Sequence, residues 1–339
     1  MDSENKKIAH LFHWPSFREY QESLLQVIAL PIGARGKLKY NDKWVNKSFI
    51  DEIENINNEG EYEAIFWVLS CKETPKATFD LACPIRSIKI LNVNKKGDYY
   101  YIDFVAQEFI SGFSKIDNKD ELKKFIKIEF DDIQIPYPGV EKGFAYTGPE
   151  IAIQTTDALS LKALYEVLEN IPCSSKYKEG ITMKEYPLIK IEKIVKSKIN
   201  DNGLYELSIN QEYVITLFYY QGESYRDRII YINENEFIGQ SDTINLTIEE
   251  KKKSIDKLNN IIVRCNNLRF IIPLNVFVKI PWHKWRFTPL LFLFGLSIIS
   301  IYLFMKYCPD SEIEVKVAVF IPLSIMLLNK LFEVLSKKD

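Results

Sequence analysis

The stretch Pro84–Ile110, "PIRSIKILNVNKKGDYYYIDFVAQEFI", decides how the body of this chain folds. Its first part sets isoleucines in alternation with polar residues, the period-2 pattern of a half-buried strand. Its last part, "YYYIDFVAQEFI" (99–110), is rich in Tyr, Ile, Val and Phe, side chains that suit a pleated surface. Between them a polar turn carries Gly97, so the segment reads as a β-hairpin.

A second stretch, "PLIKIEKIVKSKINDNGLYELSINQEYVI" from Pro187, repeats the order of features: proline, an Ile-rich run, a polar turn with Gly203, a Tyr-bearing strand, then "QEYV" where the first has "QEFI". Duplication of a hairpin unit accounts for the echo, and so does shared strand composition. Further strand-like runs are "AIFWVLSC" (64–71), "YVITLFYY" (213–220), "DRIIYIN" (227–233) and "LRFIIPLNVFVKI" (268–280). Helices are fewer. "DALSLKALYEVLENIP" predicts one from Ala158 to Asn170, started by Thr156 or Asp157 and stopped before Pro172. "TIEEKKKSIDKLNN" has a capping box, Thr247 with Glu250, and predicts a helix to Leu258. Shorter candidates are 118–125 and 48–56. The fold class is therefore mainly β (α+β), in two β-rich modules, 1–148 and 149–281, joined near "PYPGVEKGFAYTGPE" (136–150).

Composition changes once, near Trp282. The whole chain has 339 residues, 47% hydrophobic and 27% charged, and a mean hydropathy of -0.13 that hides a strongly apolar tail. Phe287–Met305 carries no charge, and at ~1.5 Å per residue it matches the ~30 Å core of a bilayer. Trp282, Lys284, Trp285 and Arg286 precede it, as headgroup-zone anchors do. "CPDSEIEVK" is an acidic link, and 315–335 is a second spanning segment interrupted by charge, with an interfacial or re-entrant helix as the alternative. Cations at both outer ends and acids between them predict a two-helix hairpin in 282–339 with both termini in the cytosol. Asn329, Lys330 and Glu333 mark the second helix as polar on one side. That side either pairs with the first helix or lines a path in a homo-oligomer, since two helices enclose no pore.

Several functions lose support at this level. A formal charge of -2 gives no basic excess for phosphate neutralisation, so no nucleic-acid partner is expected. The five cysteines are widely spaced without a CxxC, which argues against a disulfide framework and a zinc site. The first residues lack the apolar run of a secretory signal, and the body is expected in the cytosol. GxSxG, HExxH, GxxxxGK[ST] and GxGxxG are missing, and histidine occurs only at 10, 13 and 283. No catalytic residue, metal site or cofactor is assigned, and His10 and His13 are read as surface or packing residues that could share a helix face.

Recognition is expected at "LPIGARGKLKYNDKW" (30–44). Extended, it points Arg35, Lys37 and Lys39 to one face, with Tyr40, Lys43 and Trp44 close behind and Gly33 and Gly36 permitting close approach. Cations beside aromatic rings suit an anionic small molecule such as a nucleotide, or lipid headgroups. A solvent-facing edge strand guarded by lysine has the same pattern. Arg226 and Arg228, across a turn from Tyr219 and Tyr220, form a weaker version. The expected protein is a bilayer-anchored binding or sensor module, in its sharper form a ligand-gated effector that oligomerises and perturbs the membrane. The alternatives are an anchored enzyme acting on a nucleotide or membrane-proximal substrate, and a static scaffold.

Overall fold

The structure, a computed structural model, describes residues 7–14, 18–56, 62–72, 78–110, 128–129, 143–151, 153–170, 186–208, 211–222, 228–233, 235–237, 241–247, 260–265, 268–279, 302 and 306. Two compact units divide the chain, Met1–Phe277 and Val278–Asp339. The first is predominantly β with few helices, as its Ile, Val, Phe and Tyr runs require.

The Pro84 hairpin is the middle of the largest sheet. β4 (Thr78–Lys96) turns at Gly97 and returns as β5 (Tyr99–Ile110). β3 (Tyr62–Lys72) pairs antiparallel on the other side of β4, and β2 (Arg35–Asn41) is the edge beyond β5. β1 (Lys7–His13) runs parallel to β3, and β7 (Ala145–Pro149) closes the row as β2-β5-β4-β3-β1-β7. The short β6 (Ile128–Glu129) and β8 (Thr155–Thr156) add to β4 and β5.

Three smaller sheets follow. β9 (Leu188–Ile194), β12 (Glu212–Tyr220) and β15 (Ser241–Thr247) form one, with β12 central. β10 (Lys198–Ile199), β11 (Tyr205–Ser208) and β18 (Val276–Lys279) form another. β13 (Ile230–Ile232), β14 (Asn235–Phe237), β16 (Asn260–Cys265) and β17 (Leu268–Pro273) form the last. Every described strand of the large sheet precedes residue 157, and every strand of the smaller ones follows residue 187.

The echo at Pro187 is a hairpin with a detour. β9 pairs with β12, as β4 pairs with β5, but the chain between them leaves as the β10–β11 ladder. Lys196 at φ 68 and Gly203 at φ 74 turn it out and back. Gly203 cannot gain a side chain cheaply: a Cβ there would stand 3.0 Å from Arg35 N and 3.0 Å from Gly33 O. The close approach lets Arg35 N–H donate to Gly203 O at 2.9 Å, which stitches the detour onto β2. Asn275 reinforces this, its Nδ2 donating to Arg35 O at 2.6 Å while its own carbonyl accepts from Tyr205 at 2.8 Å. These bonds break the expected 268–280 strand into β17 and β18.

α2 (Lys47–Ile56) forms where expected, because Asn46 Oδ1 accepts from Ser48 N at 2.9 Å. α3 (Leu161–Asn170) starts later than Ala158. Ser160 is its cap, Oγ accepting from Ala163 N at 3.3 Å, while Thr156 Oγ1 accepts from Ala158 N at 3.2 Å in a turn outside the helix. The expected helices at 118–125 and 248–258 lie outside the described residues.

Two elements carried no usable sequence pattern. β1 is buried from Ile8 onward on both faces, so it lacks alternation. His10 and His13 sit there on opposite faces rather than on one helix face. α1 (Arg18–Ala29) packs against β2, β9 and β17, and Leu24, Leu25, Val27 and Ile28 are all buried with Gln21 and Gln26. A helix enclosed on all sides shows no single apolar stripe.

Among the described residues no helix is long and apolar enough to cross a membrane. The expected helices 287–305 and 315–335, with Asn329, Lys330 and Glu333, lie outside the described residues, apart from Tyr302 and, just beyond the first, Lys306, which are helical and exposed.

Candidate functional site

Strand β2 alternates as its sequence demands, with Gly36, Leu38 and Tyr40 buried and Arg35, Lys37 and Lys39 on the other face. Cross-strand partners share a face, so these cations lie beside Val105, Asp103 and Tyr101 of β5, and next in line beside Lys89, Asn92 and Asn94 of β4. Asp103 is nearly buried beneath them. It accepts from Arg35 Nη2 at 3.0 Å and pairs with Lys37 Nζ at 3.3 Å. Lys39 Nζ stands 3.8 Å from the centre of the Tyr99 ring. The strip thus sets Arg35 and Lys37 on one carboxylate, with Lys39 against a tyrosine face alongside.

Two expected members are elsewhere. Tyr40 faces the core, its hydroxyl donating to Phe12 O at 3.4 Å and its ring edge-on to His13 at 4.9 Å. Trp44 ends a single 3-10 turn, Asp42–Trp44, packed edge-on against Phe144 at 5.0 Å with Lys43 over its ring. Arg228 lies just before β13, on a different sheet from Arg35, with its carbonyl accepting from Gln221 Nε2 at 2.8 Å. Arg226 lies outside the described residues.

The face that bears the cations also carries a cleft of about 370 Å³. Ile8, Ile65, Ile110 and Ile153 make its apolar wall, and Glu63, Lys89, Glu108 and Glu150 its polar one. Thr155 Oγ1 donates to the Glu108 carboxylate, and Ser87 Oγ donates to Glu108 O at 3.0 Å. Lys89 is the hinge of this arrangement: it pairs in register with Glu63 on one side and with Val105, the neighbour of Arg35, on the other. Among the described residues no group of three His, Cys, Asp or Glu is placed to hold a metal ion.

Sequence reasoning overlooked Arg86. It is fully buried on the α1 side of β4, donating to Val27 O at 2.7 Å, Leu30 O at 2.5 Å and Gln107 O at 2.7 Å. The first two carbonyls end α1, where the helix dipole is negative and a cation is favoured. Burial pulls the guanidinium down to about 9, offset in part by Tyr205. The signal was its parity: Arg86 alternates with Ile88 and Ile90, both buried. His10, expected as a surface or packing residue, is the packing one, buried in the interior. Its Nε2 donates to Pro149 O at 3.2 Å, its ring lies among Phe12, Trp67 and Tyr146, and burial lowers it to about 4.

Comparison with protein-family models, with curated proteins and with solved structures returned no match for this chain.

Proposed function

We propose that this chain is a membrane-anchored binding protein whose β-rich body takes an anionic, nucleotide-like ligand on the β2–β5 face and conveys its occupancy to a C-terminal hairpin. The carrying observation is the common orientation of Arg35, Lys37 and Lys39 over the partly shared carboxylate of Asp103. Asp103 holds two cations in fixed positions without matching their total charge, which favours a phosphate-bearing guest. The anchor rests on the uncharged run Phe287–Met305, and the effector form on the polar stripe Asn329, Lys330 and Glu333, which calls for a homo-oligomer.

The test has two arms. Calorimetric titration of the detergent-purified full chain with a nucleotide panel is expected to find a binder that weakens by at least about tenfold in Lys37→Ala/Lys39→Ala. Induced expression in a bacterium with a membrane-potential dye then compares wild type with Asn329→Leu/Glu333→Leu. A binder indifferent to the lysine changes sinks the ligand site, and an unchanged potential in every condition sinks the effector form.

One observation favours an anchored enzyme instead: Glu63, Glu108 and Glu150 line the cleft beside Lys89 on the same face. Recovery of chemically altered nucleotide, lost in Glu108→Gln, supports that reading, and recovery of unchanged nucleotide counts against it.

A further inference from the structure

A second cavity, of about 300 Å³, opens between the start of α3 and the β9–β12 pair. Leu159, Leu161 and Phe218 give it an apolar lining, and Lys162 and Lys190 its charge. Phe218 and Lys190 are direct cross-strand partners, so ring and ammonium stand on the same side of the sheet. Phe218 is 37% exposed, unusual for a large aromatic on a central strand.

Behind Lys190 lies more positive charge. The Phe109 ring is 5.8 Å from Lys190 Nζ and 4.0 Å from Arg86 Cζ, so the two cations flank one aromatic. Among the described residues, none of Arg86, Lys162 and Lys190 forms an ion pair, and Arg86 Nη2 has no hydrogen-bond acceptor. Three carbonyls orient Arg86 but carry only partial charges, so its full charge is not cancelled locally. Tyr205, buried near enough for Arg86 to act on its phenol, also has a hydroxyl without a hydrogen-bond partner. Asp157 and Glu192 act on Lys190, yet both are exposed and screened by water, whereas Lys190 is lowered first by desolvation and then by Arg86.

We infer that this cavity binds a small amphiphilic anion, with a phosphate or carboxylate at Lys190 and Lys162 and an apolar body against Phe218 and Leu161. An anion there is attracted by Lys190 and by the unmatched charge of Arg86 behind it, and it relieves their mutual repulsion. The site is distinct from the Arg35–Lys39 strip.

Calorimetry on the full chain uses phenyl phosphate as a free anion and dihexanoyl phosphatidic acid as a lipid headgroup, with benzyl alcohol and benzylamine as controls. Saturable binding of either anion, weakened about tenfold or more in Lys190→Met and less in Lys162→Met, is the expected result. The tighter of the two anions assigns the source. Lys37→Ala/Lys39→Ala is expected to leave this binding unchanged; loss there with retention in Lys190→Met overturns the inference while upholding the strip. Equal binding of benzyl alcohol, or no binding of either anion by a folded wild type, also overturns it. Lys190→Met retains the apolar stem, and its circular dichroism, matched to wild type, separates lost binding from lost fold.

Discussion

Arg35 of β2 and Asp103 of β5 meet side chain to side chain at 3.0 Å, two residues out of direct cross-strand register. Lys37, which is in register, shares the same carboxylate at 3.3 Å. The pair therefore orders an edge strand whose other bonds at Arg35 go to Gly203 and Asn275. Asp103→Asn keeps the shape and removes the charge. It is expected to lower unfolding free energy by about 1–2 kcal/mol in urea titration, with a smaller loss at high salt because these cations are partly exposed.

Arg86 offers a sharper test of an interior group. Arg86→Met leaves the buried carbonyls of Val27 and Leu30, and the part-buried one of Gln107, without their donor, and a loss of roughly 3 kcal/mol is expected. Arg86→Lys keeps the charge but cannot reach three carbonyls at once, so it is expected to lose a smaller but clear fraction. Denaturant midpoints of the two variants check the order. If methionine is the better tolerated of the two, the carbonyls are not what holds α1 in place.

Protonation of His10 gives a pH dependence with a definite sign. Burial holds it at about 4 in the folded chain, against ~6.5 unfolded, so the unfolded state takes up the proton first as pH falls. The stability it contributes is complete above pH ~6.5 and is lost progressively as pH drops toward ~4, by roughly 3 kcal/mol at most. His10→Gln stays neutral throughout. The difference between wild-type and variant unfolding free energies is expected to shrink or reverse over that window and to be flat above it.

Gly203→Ala tests the stitching of the β10–β11 detour. A side chain at φ 74 costs about 1 kcal/mol, and here it also meets backbone atoms of Arg35 and Gly33 at 3.0 Å. A total loss of about 1–3 kcal/mol is expected in thermal or urea unfolding, with faster amide exchange at Arg35 as the local sign.

What sequence could reveal followed how one-sided each element's burial is. The Pro84 hairpin and the face bearing Arg35, Lys37 and Lys39 were legible because one side of each strand meets the core and the other does not. Tyr40 was grouped with them by nearness in the chain, although its even position puts it with Leu38, inside. β1 and α1 were illegible because packing on both sides erases any period, and the two glutamines on α1 sit inside as well. Arg86 combined both lessons: its parity pointed inward, but its charge suggested a surface. Only the carbonyls that end α1, contributed from far away in sequence, explain why a cation is stable there. The α3 cavity depends on the β9–β12 register, which Pro187's resemblance to Pro84 outlined without locating the detour.

Strand β1 lies between β3 and β7, and its antiparallel partner is Ala145–Pro149. During synthesis β1 therefore emerges well before β7, the strand that completes its pairing in the large row. At ~5–20 residues per second the interval is on the order of ten seconds, with an apolar segment bonded on at most one side. A fusion placed immediately before Lys7 therefore loads an interior strand of the sheet, bonded on both sides, rather than an edge.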